Sequence, residues 1–282
     1  MPAIPVDDIA INIETAGAGT PLVLLHGSFM NTLMWRPQLE GLADDFQVIV
    51  PDMRGHGGTP CPVTGRSFNR PRDVIQILDR LNIERAVIGG FSMGGPIAIQ
   101  VALDYPQRCL GIVLLATGPG AGDRPLQATQ EMCAVAEAKA QRLLELGVVE
   151  YFRETPICDA PGVKEFLENP EHRRFFEDIL KANNPAWLAD WLRLGGCDVP
   201  PELVNHLPFR RSRRLPEIKM PVLFMVGSLD VPFLPVAGLL RSKLPQTAIE
   251  VVEGASHMLN IDSAEKINRR ILQFGQECAA RQ

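Results

Sequence analysis

A serine framed by glycines, Gly90-Phe91-Ser92-Met93-Gly94, is the stretch of this chain whose residue types and spacing could do chemistry. It matches G-x-S-x-G, the pattern in which a serine stands exposed on a sharp strand-to-helix turn. Residues two positions either side of such a serine must be nearly free of side chain, and Gly90 and Gly94 meet that demand. Three matched positions occur by chance in many proteins, so the flanks decide. Before the motif, Arg85-Ala86-Val87-Ile88-Gly89 reads as a short buried parallel strand. After it, Pro96 to Leu103 is helical in period, and Pro96 is tolerated in a first turn. Strand, turn and helix in that order predict a nucleophilic serine, against the alternative of a glycine-rich structural turn.

A serine hydroxyl attacks a carbonyl only if a base takes its proton, and the base needs an acid behind it to hold its tautomer. Five histidines are available. His26 and His56 lie in loops after early strands, and His172 and His206 fall in a helical stretch. His257 sits in Glu253-Gly254-Ala255-Ser256-His257, just past the last predicted strand, where an open parallel sheet places its ligands. The acid candidate is Asp230, in Gly227-Ser228-Leu229-Asp230, just past another strand. The chain order is therefore Ser92, Asp230, His257. The competing readings are a helix-capping role for Asp230 and an ordinary loop position for His257.

The elements that must position these residues alternate. Strands are predicted at 8–14, 21–25, 46–50, 109–116, 222–226 and 248–252, besides the strand leading to Ser92. Helical periods fall at 34–42, 73–81, 96–103, 236–244 and 264–274. Strands alternating with helices imply a mostly parallel, doubly wound sheet. After Ala116 the pattern changes. A breaker cluster at Gly118-Pro119-Gly120-Ala121-Gly122 opens a stretch of about 95 residues, to Leu215, with helical periods and no strand-like run. The expected organisation is an α/β core at 1–118 and 216–282, interrupted by a helical cap at 119–215.

Composition bounds the rest. The 282 residues suit one α/β domain with an inserted lid, and 46% hydrophobic residues leave ample material for a core. A net charge of −5 argues against nucleic acid as a partner. No run approaches the ~20 apolar residues that span a bilayer, and the N-terminus lacks the basic start and apolar core of a signal peptide. The six cysteines show no metal-ligand spacing, and no glycine-rich phosphate loop follows the first long strand. The expectation is a cytoplasmic protein with reduced thiols, no cofactor and no metal.

These motifs together resemble the α/β-hydrolase superfamily, in its compact bacterial esterase, lactonase and cofactor-free haloperoxidase branch. The resemblance is carried by His26-Gly27, by Asp52-Met53-Arg54-Gly55-His56-Gly57, by Gly90 to Gly95, and by Gly227-to-Asp230 with His257. It covers about 8–118 and 216–278. It implies the α/β-hydrolase fold with an inserted helical cap, and Ser92, Asp230 and His257 as nucleophile, acid and base. It also implies an oxyanion hole from two backbone amides, which fall here on Ser28 and Met93. His26 is implied to brace its loop, and Asp52, Arg54 and His56 to stabilise a turn.

A serine at the elbow separates this chain from relatives of the same fold that use aspartate there. Relatives that cleave carbon–carbon bonds usually carry tryptophan after the histidine, where this chain has Met258. The expected activity is hydrolysis of a carboxylic ester or lactone through an acyl-enzyme. The alternatives are a C–C bond hydrolase of a ring-cleavage pathway and a receptor-like protein with slow turnover. Phe29, Trp187, Trp191 and Met258 are candidate pocket residues, although a Trp187/Trp191 stripe four residues apart also suits lid core. The arginine-rich run Phe209 to Arg214 reads as a solvated face, or as an attractor for an anionic substrate. The expected partner is a small-molecule ester or lactone, not nucleic acid or membrane, with homo-oligomerisation left open.

Overall fold

A computed structural model describes residues 3–61, 69–120, 130–194 and 208–281. Eight strands form one sheet: β1 (Ala3–Val6), β2 (Ile9–Ala16), β3 (Thr20–Leu25), β4 (Phe46–Pro51), β5 (Ala86–Phe91), β6 (Cys109–Leu115), β7 (Val222–Gly227) and β8 (Thr247–Val252). Their order is β1-β2-β4-β3-β5-β6-β7-β8. The β1/β2 and β2/β4 pairs are antiparallel, and every pair from β4 onward is parallel. Strand β1 is an addition to the sequence reading. Its four residues, with a proline among them, form an edge too short to show a period.

The interior strands are apolar on both faces because helices cover both. Leu22 and Leu24 of β3 point into one hydrophobic layer while Val23 and Leu25 point into the other. The helices of the core are α1 (Arg36–Gly41), α2 (Arg70–Arg80) and α3 (Gly94–Asp104). The predicted helix at 34–42 enters through a 3₁₀ turn, Thr32–Trp35, whose cap Asn31 accepts from the Leu33 amide. Between β6 and β7 the described residues hold only helices: α4 (Gln130–Leu146), α5 (Val148–Arg153), α6 (Val163–Glu168), α7 (Pro170–Lys181), α8 (Pro185–Leu194) and α9 (Pro208–Arg214), with short 3₁₀ turns. The chain then adds α10 (Val236–Lys243) after β7, and α11 (Leu259–Asp262) and α12 (Ala264–Ala279) after β8. No helix among the described residues is long and apolar enough to cross a membrane.

Candidate active site

Ser92 follows the carboxyl end of β5, near the middle of the sheet, with φ at +47°. Its amide donates to the Leu115 carbonyl at 3.1 Å, and its carbonyl accepts from the Thr117 hydroxyl at 2.5 Å. Both glycines of the motif are required by contact. A Cβ on Gly90 would collide with the Gly94 carbonyl, and one on Gly94 with the Leu25 carbonyl. The turn is tight because β5, the start of α3 and the end of β3 meet there backbone to backbone. Met93 precedes α3 as its N-cap residue and is half-buried, its amide one residue past Ser92.

Asp230 and His257 come from the loops after β7 and β8, and the structure brings them together. Asp230 Oδ2 lies 2.8 Å from His257 Nδ1, with the carboxylate side chain only 1% exposed. The imidazole is held between two rings, Phe91 at 4.9 Å and Phe233 at 5.1 Å between centroids. Phe91 belongs to the serine motif itself, so the elbow touches the histidine. Its loop is pinned by the Leu229 amide donating to Ala255 O and the Met258 amide donating to Ser256 Oγ, both at 3.0 Å. The His257 amide donates at 3.2 Å to the carbonyl of Gly162, a residue of the inserted helices. Gly162 sits at φ +89°, and a Cβ there would lie 3.0 Å from both the Asp230 Cα and the His257 nitrogen.

The loop after β3 lies against the elbow, since a Cβ on Gly27 would come 3.4 Å from the Ser92 Cβ. Residues Gly27 to Met30 make a turn closed by the Met30 amide donating to Gly27 O at 3.2 Å. Phe29, its third residue, has φ +64°. That is the left-handed position of a type II turn, which glycine usually fills. A side chain there costs on the order of 1–2 kcal/mol. Ser28 stands half-buried beside it, and Phe29 and Met258 are buried.

The other histidines are accounted for by packing. His26 and His56 are fully buried with rings 4.9 Å apart. His26 Nε2 accepts from the Met53 amide at 2.9 Å, so the proton sits on Nδ1, which donates to Gly27 O at 2.8 Å. His26 thus braces the loops after β3 and β4. Asp52 accepts from the Thr32 and Gly58 amides and from Asn12, and Arg54 makes a two-pronged ion pair with Asp73 at 2.8 and 3.0 Å. His172 stacks on Phe166 within the insertion, and His206 lies outside the described residues.

Burial pushes the His26 imidazole down to about 4, with nearby Arg70 adding to the effect. A base held below its ordinary value contributes stability that is complete above about pH 6.5 and is lost as the pH falls toward 4, because only the unfolded chain takes up the proton there. Over that interval, at about 1.4 kcal/mol for each pH unit, the loss is on the order of 3 kcal/mol. The stability gap between the wild type and His26→Gln should therefore narrow between pH 7 and pH 4.5. Urea unfolding of both proteins at the two pH values checks it; a constant gap would mean His26 does not titrate this way.

The inserted helices grip the core at several points. Trp191 of α8 lies against Gly55, with its ring edge-on to His56 at 4.8 Å and to Phe29 at 5.7 Å. It therefore packs in the seam between insertion and core. Trp187 is half-buried one turn earlier, above a fully buried Leu188. Asn31 Nδ2 donates to Ile179 O at 2.7 Å, and Asn183 reaches back to Gly57 and Phe29. Asn183, Gly162, Thr117 and Phe233 all touch the site yet carry no sequence signal, because each acts through a contact far away in the chain. The arginine run divides: Arg213 is exposed, Arg214 pairs with Asp104 and Glu217, and half-buried Arg211 donates to Pro119 O at 3.0 Å. Burial pulls Arg211 down to about 10. The side chains of Phe209 and Arg210 lie outside the described set.

The family model for the alpha/beta hydrolase fold matches residues 20–264. The chain belongs to the α/β-hydrolase family. Among relatives of this α/β-hydrolase is a putative 2-succinyl-6-hydroxy-2,4-cyclohexadiene-1-carboxylate synthase of Bacillus subtilis (strain 168). It is 27% identical over 271 residues, covering 94% of this chain and 93% of that protein. 3-Oxoadipate enol-lactonase 2 of Acinetobacter baylyi is 28% identical over 275 residues, covering 94% and 92%. A thermophilic esterase from Thermogutta terrifontis superposes with a TM-score of 0.74 at 26% identity, covering 96% of this α/β-hydrolase and 94% of that chain.

Proposed function

We propose that the protein is a serine hydrolase that cleaves a carboxylic ester or lactone through an acyl-enzyme. The observation that carries the reading is the 2.8 Å contact between Asp230 and His257 Nδ1 beside a serine held at φ +47°. With Nδ1–H donated to the carboxylate, Nε2 keeps its lone pair for the Ser92 proton. Ser92 Oγ attacks the carbonyl, and the charge that develops on oxygen is met by the amides of Ser28 and Met93. His257 then passes its proton to the leaving alcohol oxygen. Water, deprotonated by His257, attacks the acyl-enzyme, and the acid leaves as Ser92 recovers its proton. No step calls for a cofactor. The enol-lactonase and the esterase among the relatives support this reading.

The test is a hydrolysis panel of p-nitrophenyl esters of increasing acyl length, γ- and macrocyclic lactones, and a dienoate for carbon–carbon cleavage. Multiple turnovers on an ester or lactone, with the dienoate inert, support the proposal. Turnover of the dienoate alone selects C–C hydrolysis, and a stall after one cycle selects a receptor.

The same panel carries a prediction about specificity. The triad and the oxyanion amides touch only the reacting carbonyl, so the rest of the substrate must be read by other surfaces. In this proposal those belong to the cap at 119–215, and each methylene in an apolar pocket is worth about 1–3 kcal/mol of selectivity. Medium-length apolar esters should outperform acetate, and Trp187→Ala should reorder the acyl-length ranking. If Trp187→Ala scales every substrate by one common factor, that side chain does not read the acyl group.

A further inference from the structure

The turn that carries the Ser28 amide is held in shape from outside the core. Phe29 occupies a backbone conformation disfavoured for a bulky side chain, at φ +64°. Its ring is enclosed by Tyr151 and Phe152 of α5 and Trp191 of α8, at 6.0, 5.7 and 5.7 Å between centroids. Its carbonyl accepts from Asn183 Nδ2 at 2.9 Å. Asn183 lies between α7 and α8, is 5% exposed, and accepts the Gly57 amide on Oδ1 at 2.8 Å. Its Nδ2 also faces the carbonyls of Ile179 and Leu180, at 3.1 and 3.3 Å, which fix the amide to its own helix end. One buried side chain therefore ties the insertion to the loop after β3 and to the loop after β4 at once. The two anchor points lie 154 and 126 residues away in sequence.

We propose that Asn183 is a positioning residue for the oxyanion turn, and that the helical insertion keeps the Ser28 amide aimed at the reacting oxygen. This rests on the ester-hydrolase reading, with Ser28 N–H as one of the two oxyanion donors. An amide that drifts from its position weakens a bond made fully only in the transition state, so kcat falls while substrate binding is spared. Asn183→Asp removes the donor. It keeps an acceptor for Gly57 but turns an oxygen toward the carbonyls of Phe29, Ile179 and Leu180, none of which has a proton to give.

The experiment uses the full-length protein, with active sites counted by complete fluorophosphonate titration. It measures kcat and KM on p-nitrophenyl butyrate and hexanoate, and inhibition by a trifluoromethyl ketone, whose tetrahedral adduct needs the oxyanion donors. Losing a donor outright costs about 10²–10³ in rate, so a displaced one should cost roughly 10- to 100-fold in kcat. The loss should be equal for both esters, with KM changed less than about twofold and the ketone weakened by the kcat factor. Asn183→Ala, which deletes the amide without adding charge, serves if the Asp variant does not fold. A lowered melting temperature with kcat per titrated site and ketone affinity unchanged would overturn the proposal. A wild type that neither titrates at Ser92 nor turns over an ester would instead overturn the hydrolase reading.

Discussion

Ser92→Ala is expected to abolish turnover while leaving the fold in place. Ser92 makes its tight turn with backbone atoms, donating its amide to Leu115 O and accepting from the Thr117 hydroxyl on its carbonyl. Alanine keeps both contacts and loses only Oγ. With no nucleophile, no acyl-enzyme forms, and kcat should fall by roughly 10⁵- to 10⁶-fold, to the residual effect of binding and oxyanion stabilisation. The loss is read as kcat on the best ester of the panel, with the circular dichroism spectrum unchanged. In parallel, a fluorophosphonate should add one mass increment to the wild type, on the peptide that contains Ser92, and none to the variant. Labelling at another serine, or a variant that still turns over, would remove Ser92 from the reaction.

Asp230→Asn is the second large effect. The carboxylate is buried and accepts from His257 Nδ1 at 2.8 Å, which leaves Nε2 facing away as an acceptor. An asparagine amide turned toward Nδ1 donates instead, so the imidazole must carry its proton on Nε2 and has no lone pair for Ser92. The size and shape of the side chain are kept, and the rings of Phe91 and Phe233 still hold the imidazole. The expected fall in kcat is about 10⁴-fold, with KM little changed. Fluorophosphonate labelling of Ser92 should slow in the same proportion, since it depends on the same base. Near-wild-type turnover would make another carboxylate the third member.

The grip of the insertion on the site has a consequence for how such a protein varies. Gly162 receives the His257 amide, and Asn183 holds the Phe29 carbonyl. Under the proposed mechanism, changes in the inserted helices that preserve these two contacts should leave the reacting geometry alone, while the rest of the insertion stays available for substrate selection.

The parts legible in sequence were those written locally. Gly90 announces the elbow because its clash is with the Gly94 carbonyl four residues on, whereas Gly94 is required by the Leu25 carbonyl of another strand. Apolar runs flanked by helical periods announce β3 to β7, since a strand covered on both faces has no polar side to interrupt it. Asp230 and His257 were legible as residues past strand ends, where a parallel sheet opens. Tertiary structure alone decided that β2 runs antiparallel against β4, that a short β1 extends the edge, and that Trp191 packs between the inserted helices and the core. It alone placed Gly162 against His257, and Asn183 between Gly57 and Phe29. A hydrogen bond between residues so far apart in sequence leaves no period in either segment. Nothing in Asn183's neighbours distinguishes it from a surface asparagine until the chain folds and removes its amide from water.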